Sequence, residues 1–104
     1  MKHWSAQKCK EYLEKDTVLA LDIREPYEYQ HANCGFTNIP MATLIDFLKE
    51  KDRSTSLILL CQSGMRASAA GNLIETELGF SDVIIVEHGI QGWQSEVDPS
   101  LKLD

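Results

Sequence analysis

Leu57-Ile58-Leu59-Leu60-Cys61-Gln62-Ser63-Gly64-Met65-Arg66 joins an apolar run to a polar, glycine-bearing loop. Leu57 to Leu60 has no apolar/polar alternation, the signature of a strand covered on both faces in a parallel sheet. Downstream, Ala67, Ala70, Leu73, Ile74 and Leu78 recur on one side of a helix expected from Arg66 to Leu78. Gly79 supplies a left-handed stop there, and Phe80 is positioned to fold back. A buried strand that turns through a glycine loop into a helix is one βα unit of an α/β domain.

The flanking sequence repeats that pattern. Ser5 can cap a helix over Ala6 to Lys15, with Ala6, Cys9, Tyr12 and Leu13 at helical spacing. Val18 to Ile23 reads as a strand, followed by a polar loop and a helical turn from Pro26 through Gln30. Thr37 to Ile39 reads as a brief strand stopped by Pro40, Leu44, Ile45 and Leu48 as a helical stripe, and Val83 to Val86 as another strand. The segment with His88, Gly89, Gly92 and Trp93 reads as a turn-rich close to the chain. Parallel strands joined by right-handed crossovers place a ligand site beyond the strands' carboxyl ends, and thus at the residues after Leu60.

Cys61 stands at the edge of that loop. Backbone N–H groups of a strand-to-helix loop can curl into a cradle, and the helix N-terminus and Arg66 add positive potential. A thiolate is the reactive form of cysteine, and this setting favours it below the ordinary thiol pKa of about 8.5. Gly64 lets the loop bend and approach a ligand, Ser63 offers a hydroxyl, and Gln62 and Met65 project as pocket walls. The loop contains no general base, so its chemistry must need none. Sulfur transfer meets that condition: a thiolate takes a sulfane sulfur from a donor, an anionic group leaves, and a second nucleophile removes the sulfur. The cradle would hold the terminal persulfide sulfur, and Arg66 would attract an anionic donor.

Composition narrows the rest. The 104 residues are sized for a single domain over 1–104 with one shared core. Ten Lys and Arg against sixteen Asp and Glu leave a net charge of −6, so nucleic acid is not an expected partner. The longest wholly apolar run falls far short of the roughly 18 residues of a membrane span, and no secretory signal is read. Cys9, Cys34 and Cys61 cannot all pair, and with no CxxC spacing a reducing cytoplasm is expected. Cys9 reads as core filler. His3, His31 and His88 lack ligand spacing, so neither a metal nor a cofactor is expected.

The chain resembles the rhodanese family over nearly its whole length. Asp22-Ile23-Arg24-Glu25-Pro26-Tyr27-Glu28-Tyr29 is similar to the family's Asp-x-Arg-Glu segment and Asn38-Ile39-Pro40 to its Asn-Ile-Pro stretch. Cys61 to Arg66 resembles its active loop, and His88-Gly89-Ile90-Gln91-Gly92-Trp93 its Gly-and-Trp ending. The resemblance implies a three-layer α/β fold, a central mostly parallel five-stranded sheet with helices on both faces. It implies Cys61 as the persulfide carrier, the backbone of Gln62, Ser63, Gly64, Met65 and Arg66 as the anion cradle, and Asp22 with Arg24 as structural support. For Asp22 and Arg24 a salt bridge tying down a strand end is expected rather than substrate contact; Trp93 is expected to line the core or a pocket. Ala67 stands where many members have Ser, and Gln62 where many have Arg, which removes a positive charge. Gln30 to Gly35 does not match the family's Gly-His-Ile-x-Gly, so no role passes to His31.

The expected activity is a sulfurtransferase moving sulfur from a small donor, such as thiosulfate or a persulfide, to a thiol or cyanide. A sulfur-relay protein is a further expected partner. Two other readings share the loop. A carrier or partner-docking module would take sulfur from a protein persulfide with poor turnover of free donors. A cysteine phosphatase or arsenate reductase resembles a Cys-x5-Arg pattern, but Arg66 makes this one Cys-x4-Arg, a smaller enclosure suited to one sulfur atom.

Overall fold

The computed structural model describes residues 1–15 and 17–104. Its centre is the apolar run: β4 (Ser56–Leu60) lies between β5 (Val83–Val86) and β2 (Val18–Asp22). β3 (Thr37–Asn38) flanks β2 at one edge and β1 (Lys2–Trp4) flanks β5 at the other. The five-stranded order is β1-β5-β4-β2-β3, and each adjacent pair runs parallel. Leu57, Ile58, Leu59 and Leu60 are fully buried, as a strand with both faces covered requires.

Side-chain alternation along β4 and β5 divides the apolar residues between the two faces. Leu57, Leu59, Cys61, Val83 and Ile85 pack with α3 (Met41–Lys49) and α4 (Met65–Leu73) through Leu44, Leu48, Ala67 and Ala70. Ile58, Leu60, Ile84 and Val86 pack on the opposite face with α1 (Ala6–Tyr12) and α5 (Gly89–Glu96) through Ala6, Cys9, Ile90 and Trp93. The three layers that the family resemblance implies are present, and Cys9 and Trp93 are core residues, Trp93 meeting Phe36 edge-on at a centroid distance of 5.2 Å. α2 (Pro26–His31) follows β2 and begins with Pro26 in the first turn. Ser5 caps α1, its hydroxyl accepting from the Lys8 N–H at 3.2 Å.

Three elements depart from the expectation. β1 was not read in Lys2-His3-Trp4, because an edge strand pairs on one side only and its polar residues carry no apolar run. It pairs in register with Ile84 to Val86. The helix after the loop changes character at Ile74, where Ile74–Leu78 widens to a π-helical turn before Gly79 (φ 78°) ends it. Phe80 still folds back and is buried. The closing segment is not a set of turns but α5. Its glycines hide a helix because they serve close packing: a Cβ on Gly92 would stand 2.6 Å from the Glu87 carbonyl oxygen.

Candidate active site

β4 ends at Leu60 and α4 begins at Met65, so the loop between them lies at the carboxyl edge of the sheet. Gly64 is the N-cap of α4 with φ 105°, a left-handed conformation that L side chains rarely adopt and glycine enters without strain. This turn wraps the backbone around the Cys61 side chain. The Gly64 N–H donates to Cys61 Sγ at 3.1 Å and the Ala67 N–H at 3.4 Å. The first turn of a helix has no carbonyls for its N–H groups, and here the sulfur takes two of them. Among the described residues, the N–H groups of Gln62, Ser63, Met65 and Arg66 have no hydrogen bond within the chain. Cys61 is only 1% exposed, its side chain packed against the core on one side and held by the Gly64 and Ala67 N–H groups on the other.

The loop is held from behind by α5. Ile90 N–H donates to the Cys61 carbonyl at 2.9 Å and Gln91 N–H to the Gln62 carbonyl at 3.4 Å. In a trans peptide the N–H points opposite its C=O, so these bonds turn the Gln62 and Ser63 N–H groups away from α5. Gly89 makes the contact possible: it has φ 56°, and a Cβ there would run into the Cys61 carbonyl oxygen and stand 2.6 Å from the Gln62 carbonyl carbon. His88, in the same left-handed region at φ 61°, completes the turn. Sequence reasoning missed the amides of Ala67, Ile90 and Gln91 as parts of the site. The one available signal was Gly89 beside a non-glycine turn, and it names no partner.

The other expected residues differ in exposure, in the cavity they line and in what they pair with. Ser63 and Met65 are exposed, Met65 at 80%, and Gln62 is half-buried. Ser63, Gly64 and Met65 line a cavity of about 440 Å³ with His3, Ser68 and His88. Gln62 lines a second one of about 210 Å³ with Arg24, Tyr27, Glu28 and His31. Cys61 lines neither cavity, so size alone does not make the larger one the reacting centre. Arg66 is paired with a carboxylate: its guanidinium forks onto Glu28, Nη1 to Oε1 at 2.8 Å and Nη2 to Oε2 at 2.9 Å. Glu28 Oε1 also accepts from the Glu25 N–H at 3.0 Å. The hydrogen bond from Arg66 holds the Glu28 carboxyl below the usual carboxylate range, and in return raises Arg66.

Asp22 and Arg24 form a buried pair at the end of β2, 0% and 2% exposed. Arg24 Nη2 donates to Asp22 Oδ2 at 2.7 Å and Nε to Oδ1 at 2.9 Å, while Nη2 also reaches the Ala32 carbonyl at 2.8 Å. The Asn38 amide bridges the Asp22 and Arg24 carbonyls at 2.9 and 3.0 Å. This closed network joins β2, β3 and the end of α2, the salt bridge expected of these residues.

The rhodanese-like domain model matches residues 5–96, and the chain belongs to that family. The thiosulfate sulfurtransferase GlpE of Pseudoalteromonas translucida is 32% identical over 95 residues, covering 90% of each chain. An adenylyltransferase and sulfurtransferase of Zea mays is 30% identical over 103 residues, covering 88% of this chain and 21% of that protein. Among solved structures, a rhodanese-related protein from Thermoplasma volcanium superposes with a TM-score of 0.80 at 28% identity, covering 100% of both chains. No helix among the described residues is long and apolar enough to cross a membrane.

Proposed function

We propose that this protein, acting as a single domain over residues 1–104, is a sulfurtransferase that carries sulfur as a Cys61 persulfide. The observation that carries the reading is the pair of N–H donors on Cys61 Sγ, from Gly64 and Ala67. Donors so placed favour an anionic sulfur. In the charging step the Cys61 thiolate attacks the outer sulfur of thiosulfate. A new S–S bond forms, the donor's S–S bond breaks, and sulfite leaves with the electron pair. From a protonated persulfide the same attack takes the outer sulfur with its proton and releases a thiolate. In discharge, an acceptor thiolate or cyanide attacks the outer sulfur and Cys61 leaves as a thiolate. Neither step requires a base to activate water.

The backbone of Gln62, Ser63, Met65 and Arg66 supplies the remaining donors, free to meet the terminal sulfur once it is bound. Asp22 and Arg24 hold the β2 end beneath the loop. The family match, the GlpE relative and the maize relative, whose name includes sulfurtransferase, support sulfur transfer, and a sulfur-relay protein is a further partner in this reading. A reducing cytoplasm suits the free thiols of Cys9, Cys34 and Cys61.

Intact mass after exposure to thiosulfate or to glutathione persulfide tests the reading. A gain of about 32 Da, one sulfur atom, that dithiothreitol removes and that Cys61→Ser abolishes is the expected result. Absence of a gain with both donors overturns it. Cys61-dependent hydrolysis of an aryl phosphate would favour the phosphatase reading instead.

A further inference from the structure

Every guanidinium near the loop already holds a carboxylate. Arg66 is forked onto Glu28 and Arg24 onto Asp22. One member of each pair, Glu28 and Arg24, lines the cavity of about 210 Å³, together with Tyr27, His31 and the uncharged Gln62. The remaining basic group there, His31, has Nε2 on the Asp104 backbone oxygen at 3.2 Å. A donor delivering sulfur to Cys61 must put its leaving portion beside the loop; the larger cavity borders the loop at Ser63, Gly64 and Met65 and this one at Gln62, and a leaving portion seated in this one lies against Glu28. A dianion entering it meets no free cation and one carboxylate. That carboxylate is anchored twice more than an ordinary surface Glu, by the Arg66 fork and by the Glu25 N–H, so it does not swing aside without breaking those bonds.

We propose that Glu28 determines donor specificity: its carboxylate, seated on the Arg66 fork, disfavours dianionic donors such as thiosulfate and favours persulfides whose leaving thiol carries a positive charge. This rests on the sulfur-transfer reading of Cys61. Like charges within a few ångströms of a partly screened site change affinity and approach by about an order of magnitude. Both donors charge the same thiolate by the balanced displacements written above. From cysteamine persulfide the outer sulfur and its proton pass to Cys61, and the ammonium-bearing thiolate leaves.

The test compares the rate of Cys61 loading, read as the mass gain against time, for thiosulfate and for cysteamine persulfide. The proteins compared are the native chain, Glu28→Gln, Glu28→Asp and Glu77→Gln, the last an exposed residue on the π-helical turn that matches the change in net charge. Expected is a rise of about 10-fold in the thiosulfate to cysteamine persulfide ratio of kcat/KM in Glu28→Gln. Glu28→Asp, which keeps the charge at a shorter reach, should retain the native ratio, and Glu77→Gln should leave it unchanged. In the native chain, raising salt should raise the ratio by screening the carboxylate, a measurement that requires no variant to fold. An unchanged ratio in folded Glu28→Gln, a Glu28→Asp ratio that follows Glu28→Gln, or a native ratio indifferent to salt overturns the specificity role. Loading by neither donor overturns the sulfur-transfer reading and this proposal with it.

Discussion

The three thiols of this chain share an element symbol and little else. Cys9 Sγ lies 3.8 Å from the Trp4 carbonyl, and burial, with Glu87 and Glu96 adding to it, pushes its pKa up to about 12. Burial pushes Cys34 up to about 12 as well. Cys61 instead accepts two backbone N–H groups. Iodoacetamide at neutral pH should therefore modify Cys61 first in the folded protein, with Cys9 and Cys34 following only on unfolding; peptide mapping that finds either ahead of Cys61 would contradict this. Gly89 governs the same sulfur from outside the loop. Gly89→Ala forces a methyl against the Cys61 carbonyl at a positive φ, and the displaced peptides should slow sulfur loading by about 10- to 100-fold. A loading rate within twofold of native would show that the α5 contact is dispensable.

At the scale of elements, ion pairs fasten the strand ends and the loop. Arg24→Ala leaves Asp22 buried without its partner, and loss of one member of a buried pair costs about 3–5 kcal/mol. Urea denaturation followed by circular dichroism should find a loss of that size, whereas a change below about 1 kcal/mol would mean that water replaces the guanidinium. The Glu28–Arg66 pair joins α2 to α4 and has a pH signature. Because the Arg66 hydrogen bond depresses Glu28 in the folded protein, its stabilisation is fully present above the unfolded glutamate pKa of about 4.3. It fades as pH falls through the lower folded value. The thermal midpoint of the native chain should thus drop below about pH 4.5 more steeply than that of Glu28→Gln. Parallel slopes would remove the pair from the acid response. The helices around these pairs were legible unevenly. Ser5 and Pro26 announced α1 and α2 through capping chemistry, but α5 was read as turns, because Gly89 and Gly92 are there for close approach rather than for chain reversal.

Over the whole molecule, one central strand organises both cores. Ile58 and Leu59, adjacent in sequence and fully buried, belong to opposite faces of the sheet. Ile58→Ala and Leu59→Ala should each lower stability by about 2–5 kcal/mol, the range for large-to-small changes in packed cores. Chemical denaturation that finds one of them silent would mean that the corresponding layer is loosely packed. The parallel, doubly covered sheet was readable because burial on both faces leaves an uninterrupted apolar run, and Leu57 to Leu60 is such a run. The edge strand Lys2–Trp4 was not readable, since its residues answer to a neighbour at Ile84 to Val86, remote in sequence.

The sequence by itself determined the α/β class with its parallel sheet and placed Cys61 in a glycine-bearing loop after Leu60, because periodicity, caps and glycine turns are local physics carried by adjacent residues. It did not determine what Arg66 pairs with, which amides reach the sulfur, or what clamps the loop from behind. Those follow from Glu28, Ala67 and Ile90 arriving from separate elements. Charge pairing and hydrogen-bond direction depend on distances that exist only after the helices have packed on the sheet.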